Sequence, residues 1–328
     1  MKRVLSLAAL FLLVTICVSP VQAAEKEWTW LVFLNADNNL DQFGVQDEQE
    51  MAKVGSNDYL NIVTLIDREK GPAQINYIEK GNIVKVKDMG ELDMGDYKLL
   101  ISWTKDMIAQ YPAKHYALII WNHGSGWKHT KSDLVKGISY DDSTGNHITT
   151  EQLGMAMGEI KQALGRNLDV LSMDACLMQM FEVAYAVKDT TDFIVASEET
   201  EPGAGYPYDG ILNTLKAGTA PVDFVKTWVA AYAASYNNGS QGNSASTQSA
   251  IDCSKLNDLK DAVDGFAKAS IAGTFGAQFK TALTAVQKFY YRTNIDLPHL
   301  VNLLKAAIKD EAFQTAANKL DAALKAAI

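Results

Sequence analysis

Two short, largely apolar runs, Tyr116-Ala117-Leu118-Ile119-Ile120-Trp121 and Leu168-Asp169-Val170-Leu171-Ser172-Met173, limit what this chain can fold into more than any other feature. Each has the length and bulk of a strand buried on both sides, as in a parallel sheet covered by helices. Both end in a sharp change of character. The first opens into Asn122-His123-Gly124-Ser125-Gly126-Trp127 and the second into Asp174-Ala175-Cys176. Open α/β sheets bind ligands beyond the C-terminal ends of their strands. If the two strands are neighbours, His123 and Cys176 emerge together at that edge.

The rest of the chain fits this frame. Further strands are expected at Trp28–Ala36, Leu60–Ile66, Phe193–Ser197 and Thr247–Cys253, making six. Residues 75–88 alternate apolar and polar side chains around Lys80-Gly81-Asn82, the pattern of an exposed hairpin. Helical spacing covers 40–54, 96–110 and a stretch to about 164 that Thr149 or Thr150 can cap. It continues over about 178–187, 211–217 and 222–236. The expectation is an α/β fold with a mostly parallel six-stranded sheet flanked by helices. Residues 24–253 form that unit, and 254–328 form a helical C-terminal part packed on it or extending it.

With 328 residues, 48% of them hydrophobic, the chain has enough material for a core without disulfides or metals. Lys2 and Arg3, the apolar stretch Val4–Val18 and the small-residue site Val21-Gln22-Ala23 are expected to be a cleavable signal over residues 1–23. The protein is then exported, periplasmic or secreted, and holds no membrane segment afterwards. Cys17 would suit lipid attachment, but Ile16 before it is too bulky for the usual motif. Cleavage removes two cations and no acids, taking the net charge from −9 to −11. So acidic a chain has little to offer nucleic acid or an anionic membrane. No P-loop, dinucleotide fingerprint, CxxC or HExxH is present, and no cofactor or metal is expected. A peptide or protein substrate and a monomeric state are the expected associations.

A thiol beside an imidazole is the minimal nucleophile and base of a cysteine hydrolase. His123 precedes Cys176 by 53 residues, an order and spacing known from caspases. The backbone N–H groups of Gly124 and Cys176 are the candidate oxyanion donors. A helix starting just after Cys176 would lower its pKa. The competing reading is a Cys176–Cys253 disulfide, since signal removal leaves two cysteines in an oxidising compartment. Asp174 is either a helix N-cap or an acid facing a basic substrate side chain. Glu198, Glu199 and Glu201 follow the fifth strand, and Asp37, Asn38 and Asp41 the first, so each can line the rim or simply be solvated. His115, His129, His147 and His299 fit solvated or capping positions.

The segments WTWLVFLNADNNLD, YALIIWNHGSGW, GISYDD and LDVLSMDACLMQMFEVAYAV resemble the clostripain-like cysteine peptidases of the caspase-like superfamily, over roughly residues 28–252. The resemblance implies a caspase-haemoglobinase fold, His123 as general acid and base, and Cys176 as nucleophile. It also implies cleavage after Arg or Lys through an acidic pocket that includes Asp174. A second acid is expected in the Pro-Gly-x-Gly segment, where this chain has Pro202-Gly203-Ala204-Gly205; Glu201 or Asp209 could compensate for Ala204. Some members cleave themselves between the two motifs after a basic residue, and Lys136-Gly137 lies in the matching loop. The family's namesake is linked with calcium, although this chain has no EF-hand-like run. Two other readings stand beside a secreted endopeptidase. One is a non-catalytic exported binding protein or pseudo-peptidase of the same fold, and the other is peptide ligation at the same site.

Overall fold

A computed structural model describes residues 24–127 and 137–328. The signal assigned to residues 1–23, and Lys136, lie outside the described residues. From the N-terminus come β1 (Lys26–Ala36), α1 (Asp41–Val54), β2 (Leu60–Arg68), β3 (Ala73–Glu79), β4 (Asn82–Gly90), α2 (Tyr97–Gln110) and β5 (Ala113–Trp121). A small pair, β6 (Gly137–Ile138) and β7 (Ile148–Thr149), precedes α3 (Thr150–Leu164), β8 (Leu168–Asp174), α4 (Phe181–Val187) and β9 (Thr191–Ala196). Next are α5 (Tyr208–Leu212), α6 (Pro221–Ser235), the pair β10 (Asn237–Gly239) and β11 (Gly242–Asn243), and β12 (Ser249–Asp252). The chain ends in α7 (Leu256–Ala272), α8 (Gly276–Ala285), α9 (Leu297–Ala307) and α10 (Glu311–Ala327).

The main sheet has the order β12-β9-β8-β5-β1-β2-β3-β4. Its five central strands, β9 to β2, run parallel; β12 and β3 pair antiparallel with the two ends of that set, and β4 pairs antiparallel with β3. The sheet therefore has eight strands rather than six. The six expected from apolar runs are present, and the hairpin expected to stand exposed extends the sheet instead. Its inner strand β3 buries Ile75 and Ile78 against opposite faces, while β4 remains largely exposed.

Helices cover both faces. Leu118, Ile120, Leu171 and Met173 pack toward α2 and α3, in one continuous cluster with Leu256, Phe266, Val301 and Phe313 of the C-terminal helices. Ala117, Ile119 and Val170 face the other way, toward Trp30, Tyr206, Phe224 and Trp228 around α6. Each buried Leu or Ile is worth roughly 1.5–3 kcal/mol in transfer terms, which fixes the registers of β5 and β8 firmly. The start of α3 shows why a local pattern can be decisive. The Thr149 hydroxyl accepts from Gln152 N, and the Gln152 side chain accepts from Thr149 N, a complete capping box.

In that register Trp121 lies opposite Asp174, and Asn122 N donates to the Asp174 carbonyl at 3.2 Å. His123 and Cys176 each come two residues later, so the parallel pairing carries them off the same edge together.

Candidate active site

Gly124 shows how closely the two strand ends approach. A Cβ there would lie 2.4 Å from the Cys176 carbonyl oxygen and 3.0 Å from the Ala175 Cβ, so only glycine fits. His123 is half-buried, and its Nε2 lies 2.7 Å from Asn39 Oδ1, in the loop after β1. With the amide oxygen accepting, Nε2 carries the proton and Nδ1 is the basic nitrogen. Burial lowers the imidazole pKa, opposed by the charge of Asp142. Asn39 lies in a polar loop given no chemical role from sequence; its only signal was its place beyond a strand at the same sheet edge.

Cys176 is partly buried and Cys253 buried, and both are free, which removes the disulfide reading. Cys253 follows β12, whose Asp252 pairs with Phe193 near the start of β9, at the opposite edge from Cys176. The Glu201 N–H donates to Cys176 Sγ at 3.2 Å. The expected helix-end effect on this thiol is not found. The helix α4 starts only at Phe181 and has seven residues, and burial pushes the thiol pKa up. Met178 and Gln179 are buried in the turn that separates the strand from the helix.

Asp174 caps no helix. It is 4% exposed and its Oδ2 accepts from the Tyr208 hydroxyl at 2.8 Å and from Tyr206 N at 3.3 Å. Its carboxyl is also hydrogen-bonded to that of Glu201. Burial raises Asp174 to about 6, and burial together with Asp174 holds Glu201 well above the ordinary range. Two touching carboxyl groups in one buried site cannot both ionise cheaply, so they share a proton at neutral pH. Gly205 backs this pair: its φ is +56°, and a Cβ there would stand 3.0 Å from Asp174 Oδ1. Asp47, buried beneath Trp121, accepts from the indole N–H at 2.7 Å and adds a third acid to the same neighbourhood.

The remaining sequence candidates lie elsewhere. Asp37 is buried and holds the loop before β7, accepting from Ser143 N at 3.3 Å. Glu198 accepts from the Ser249 hydroxyl of β12 at 2.5 Å, because that strand closes the sheet beside it. Neither has a polar contact with Asp174. Asp209 is paired with Lys53 at 2.9 Å, so Glu201 rather than Asp209 joins Asp174. His115 pairs with Asp169 at 2.7 Å at the other end of the sheet, His147 stacks on Tyr140, and His299 accepts from Gln287 N. Gly137 is set in β6, where Ser125 N donates to its carbonyl at 3.0 Å. Among the described residues no group of three His, Cys, Asp or Glu side chains forms a metal site, and no helix is long and apolar enough to cross a membrane.

Comparison with known proteins gives the family and the fold. The model of the clostripain family matches residues 32–325. Clostripain from Hathewaya histolytica is 31% identical over 224 residues, covering 58% of this chain and 42% of that protein's length. Among solved structures, a secreted C11 cysteine protease from Bacteroides thetaiotaomicron, bound to an irreversible peptide inhibitor, superposes with a TM-score of 0.71. It is 20% identical, over 92% of this chain and 83% of its own. An inactive zymogen of a C11 protease from Parabacteroides distasonis superposes at 0.69 with 20% identity, over 93% and 83%. At that identity the structural likeness speaks for the fold, which is that of the caspase-like α/β proteins.

Proposed function

This chain belongs to the clostripain family, and from that premise we propose that it is an exported cysteine endopeptidase using a Cys176–His123 dyad. The observation that carries the reading is the Trp121–Asp174 register, which brings the two residues off adjacent strand ends where Gly124 meets the Cys176 backbone. Burial raises the thiol and lowers the imidazole, so the resting pair is neutral rather than a preformed ion pair. Substrate arrival then triggers proton transfer from Sγ to His123 as Sγ attacks the scissile carbonyl. The developing oxyanion is held by the N–H groups of Gly124 and Cys176. His123 returns the proton to the departing amine, and water later releases the acyl group from sulfur by the reverse sequence.

The specificity proposed is for Lys or Arg before the scissile bond, paired with the Asp174–Glu201 carboxyls. A fixed cation desolvated against an acid contributes far more than an exposed pair. Ala204 withholds the acid that the Pro-Gly-x-Gly segment would otherwise supply, and Glu201 takes its place from three residues earlier. Self-cleavage at Lys136-Gly137 belongs to the same reading. The proposed chemistry uses protein groups alone, on a peptide or protein substrate, by a monomer. The deciding experiment compares wild type with Cys176→Ala on fluorogenic peptides ending in Lys or Arg. Turnover is expected only from wild type, and turnover by a folded Cys176→Ala protein would overturn the assignment.

A further inference from the structure

We infer that the hairpin between α8 and α9 forms one wall of the substrate cleft and receives apolar side chains on the leaving-group side of the peptide. The inference rests on the peptidase reading above. The hairpin is a built element: Lys288 bridges Ile295 antiparallel, Phe289 N donates to the Asn294 carbonyl at 3.1 Å, and Asp296 N to the Gln287 carbonyl at 3.0 Å. It projects from the C-terminal helices to the edge where the dyad lies.

Its tip reaches both sides of the dyad. On the cysteine side, Tyr290 N donates to Glu199 Oε1 at 3.0 Å, and the Glu199 carbonyl in turn accepts from Leu177 N, next to Cys176, at 3.1 Å. Asn294 Nδ2 meets the Met180 sulfur at 3.9 Å. On the histidine side, Tyr291 comes near the Tyr140 phenol, whose oxygen lies 2.5 Å from Ser125 Oγ, two residues from His123.

The acid pocket and the hairpin lie on opposite faces of the sheet. Tyr206 and Tyr208, which hold Asp174, belong to the core around α6, whereas Met178 and Met180 belong to the core beneath the C-terminal helices. An extended peptide whose basic side chain enters the acid pocket, with its carbonyl at Cys176, must cross the sheet edge. Its residues beyond the scissile bond then meet the hairpin. The backbone N–H of Tyr290 is anchored while the residue is 64% exposed, and Trp127, beyond the glycine that packs on Met180, is 42% exposed. Large aromatic surfaces held in water beside a cleft are suited to cover an apolar ligand group.

The test uses two substrates with one acyl half ending in lysine. One is a coumaryl amide, and the other continues about three residues beyond the scissile bond, beginning with leucine. Tyr290→Ala keeps the backbone bond to Glu199. It should lower kcat/KM about tenfold on the extended peptide, through KM, and by no more than about twofold on the amide. Tyr290→Phe should restore the extended substrate. Equal losses on both substrates, or no loss on the extended one, would overturn the inference while leaving the peptidase reading intact. Wild type that cleaves neither would remove both.

Discussion

The imidazole Nε2 of His123 lies 2.7 Å from the side-chain oxygen of Asn39, tying the end of β5 to the loop after β1. With the amide oxygen accepting, the contact fixes the tautomer and the plane of the ring, which would make Asn39 a positioning residue for the proposed dyad. Asn39→Ala is expected to lower kcat by about tenfold or more with little change in KM, and to shift the acid limb of the pH–rate profile. Asn39→Asp should retain the ring orientation and raise the imidazole pKa. Unchanged kcat and profile in both variants would show that the contact has no part in catalysis.

Asp174 and Glu201 are buried against each other, and a bound lysine or arginine would favour the ionised form of either carboxyl, Asp174 giving up its proton first. Affinity for basic substrates should therefore rise as pH climbs through about 6, where Asp174 titrates. Asp174→Asn and Glu201→Gln should each raise KM for lysine substrates about tenfold or more and flatten that dependence. Equal losses on neutral peptides would mark the pair as structural instead.

Gly124→Ala would place a methyl 2.4 Å from the backbone oxygen of Cys176, which no side-chain movement can relieve. Activity should fall about a hundredfold, since the proposed oxyanion donors would move with this backbone, and the melting temperature should drop by several degrees. An active, equally stable variant would refute the close approach.

Gly137 is fixed by β6 and by Ser125, so a chain end produced there would stay in place after cleavage. Purified wild type is expected to yield a fragment beginning at Gly137, while Cys176→Ala and Lys136→Ala remain whole. Intact, fully active wild type by mass spectrometry would remove self-processing and leave the peptidase assignment standing.

Asp67 is fully buried near Glu91, Asp37 and Asp141, and its Oδ2 has no hydrogen-bond partner among the described residues. Burial first, then these acids, raise its pKa from 3.8 to about 7. Because the folded pKa lies above the unfolded one, the folded state binds more protons between these values, and stability is lost as pH rises through that window. Asp67→Asn should therefore stabilise the protein at pH 8 by roughly 2 kcal/mol, with a much smaller effect at pH 4. Denaturation midpoints at the two pH values measure this, and an equal change at both would contradict it.

Much of this architecture is legible in the chain because buried parallel strands have a strong signature. The runs at 116–121 and 168–173 announce themselves, and so does the sharp polar turn after each. Features that depend on neighbours far along the chain are not legible. Nothing local distinguishes a free hairpin at 75–88 from one whose inner strand is covered by residues from both layers. The run from Met178 onward has helical spacing, yet its first residues are drawn into the core below Cys176, and α4 starts late. Glu198, Glu199 and Glu201 look alike in sequence. Only the fold sends the first to Ser249, the second to Tyr290 and the third to Asp174. Asn39 was hidden for the same reason, since its partner lies 84 residues away.

The far end of the sheet bears on how this protein behaves in a crowded solution. Among the described residues no strand pairs with the outer side of β4, and such an edge invites a second molecule to add its own strand. Here the invitation is withdrawn by Lys85, Lys87 and Asp88, which lie exposed along that edge and would have to be stripped of water at any seam between two copies. Substituting the two lysines with valine would leave the ends of β5 and β8 untouched and remove the charge that keeps a second copy from adding its own strand there.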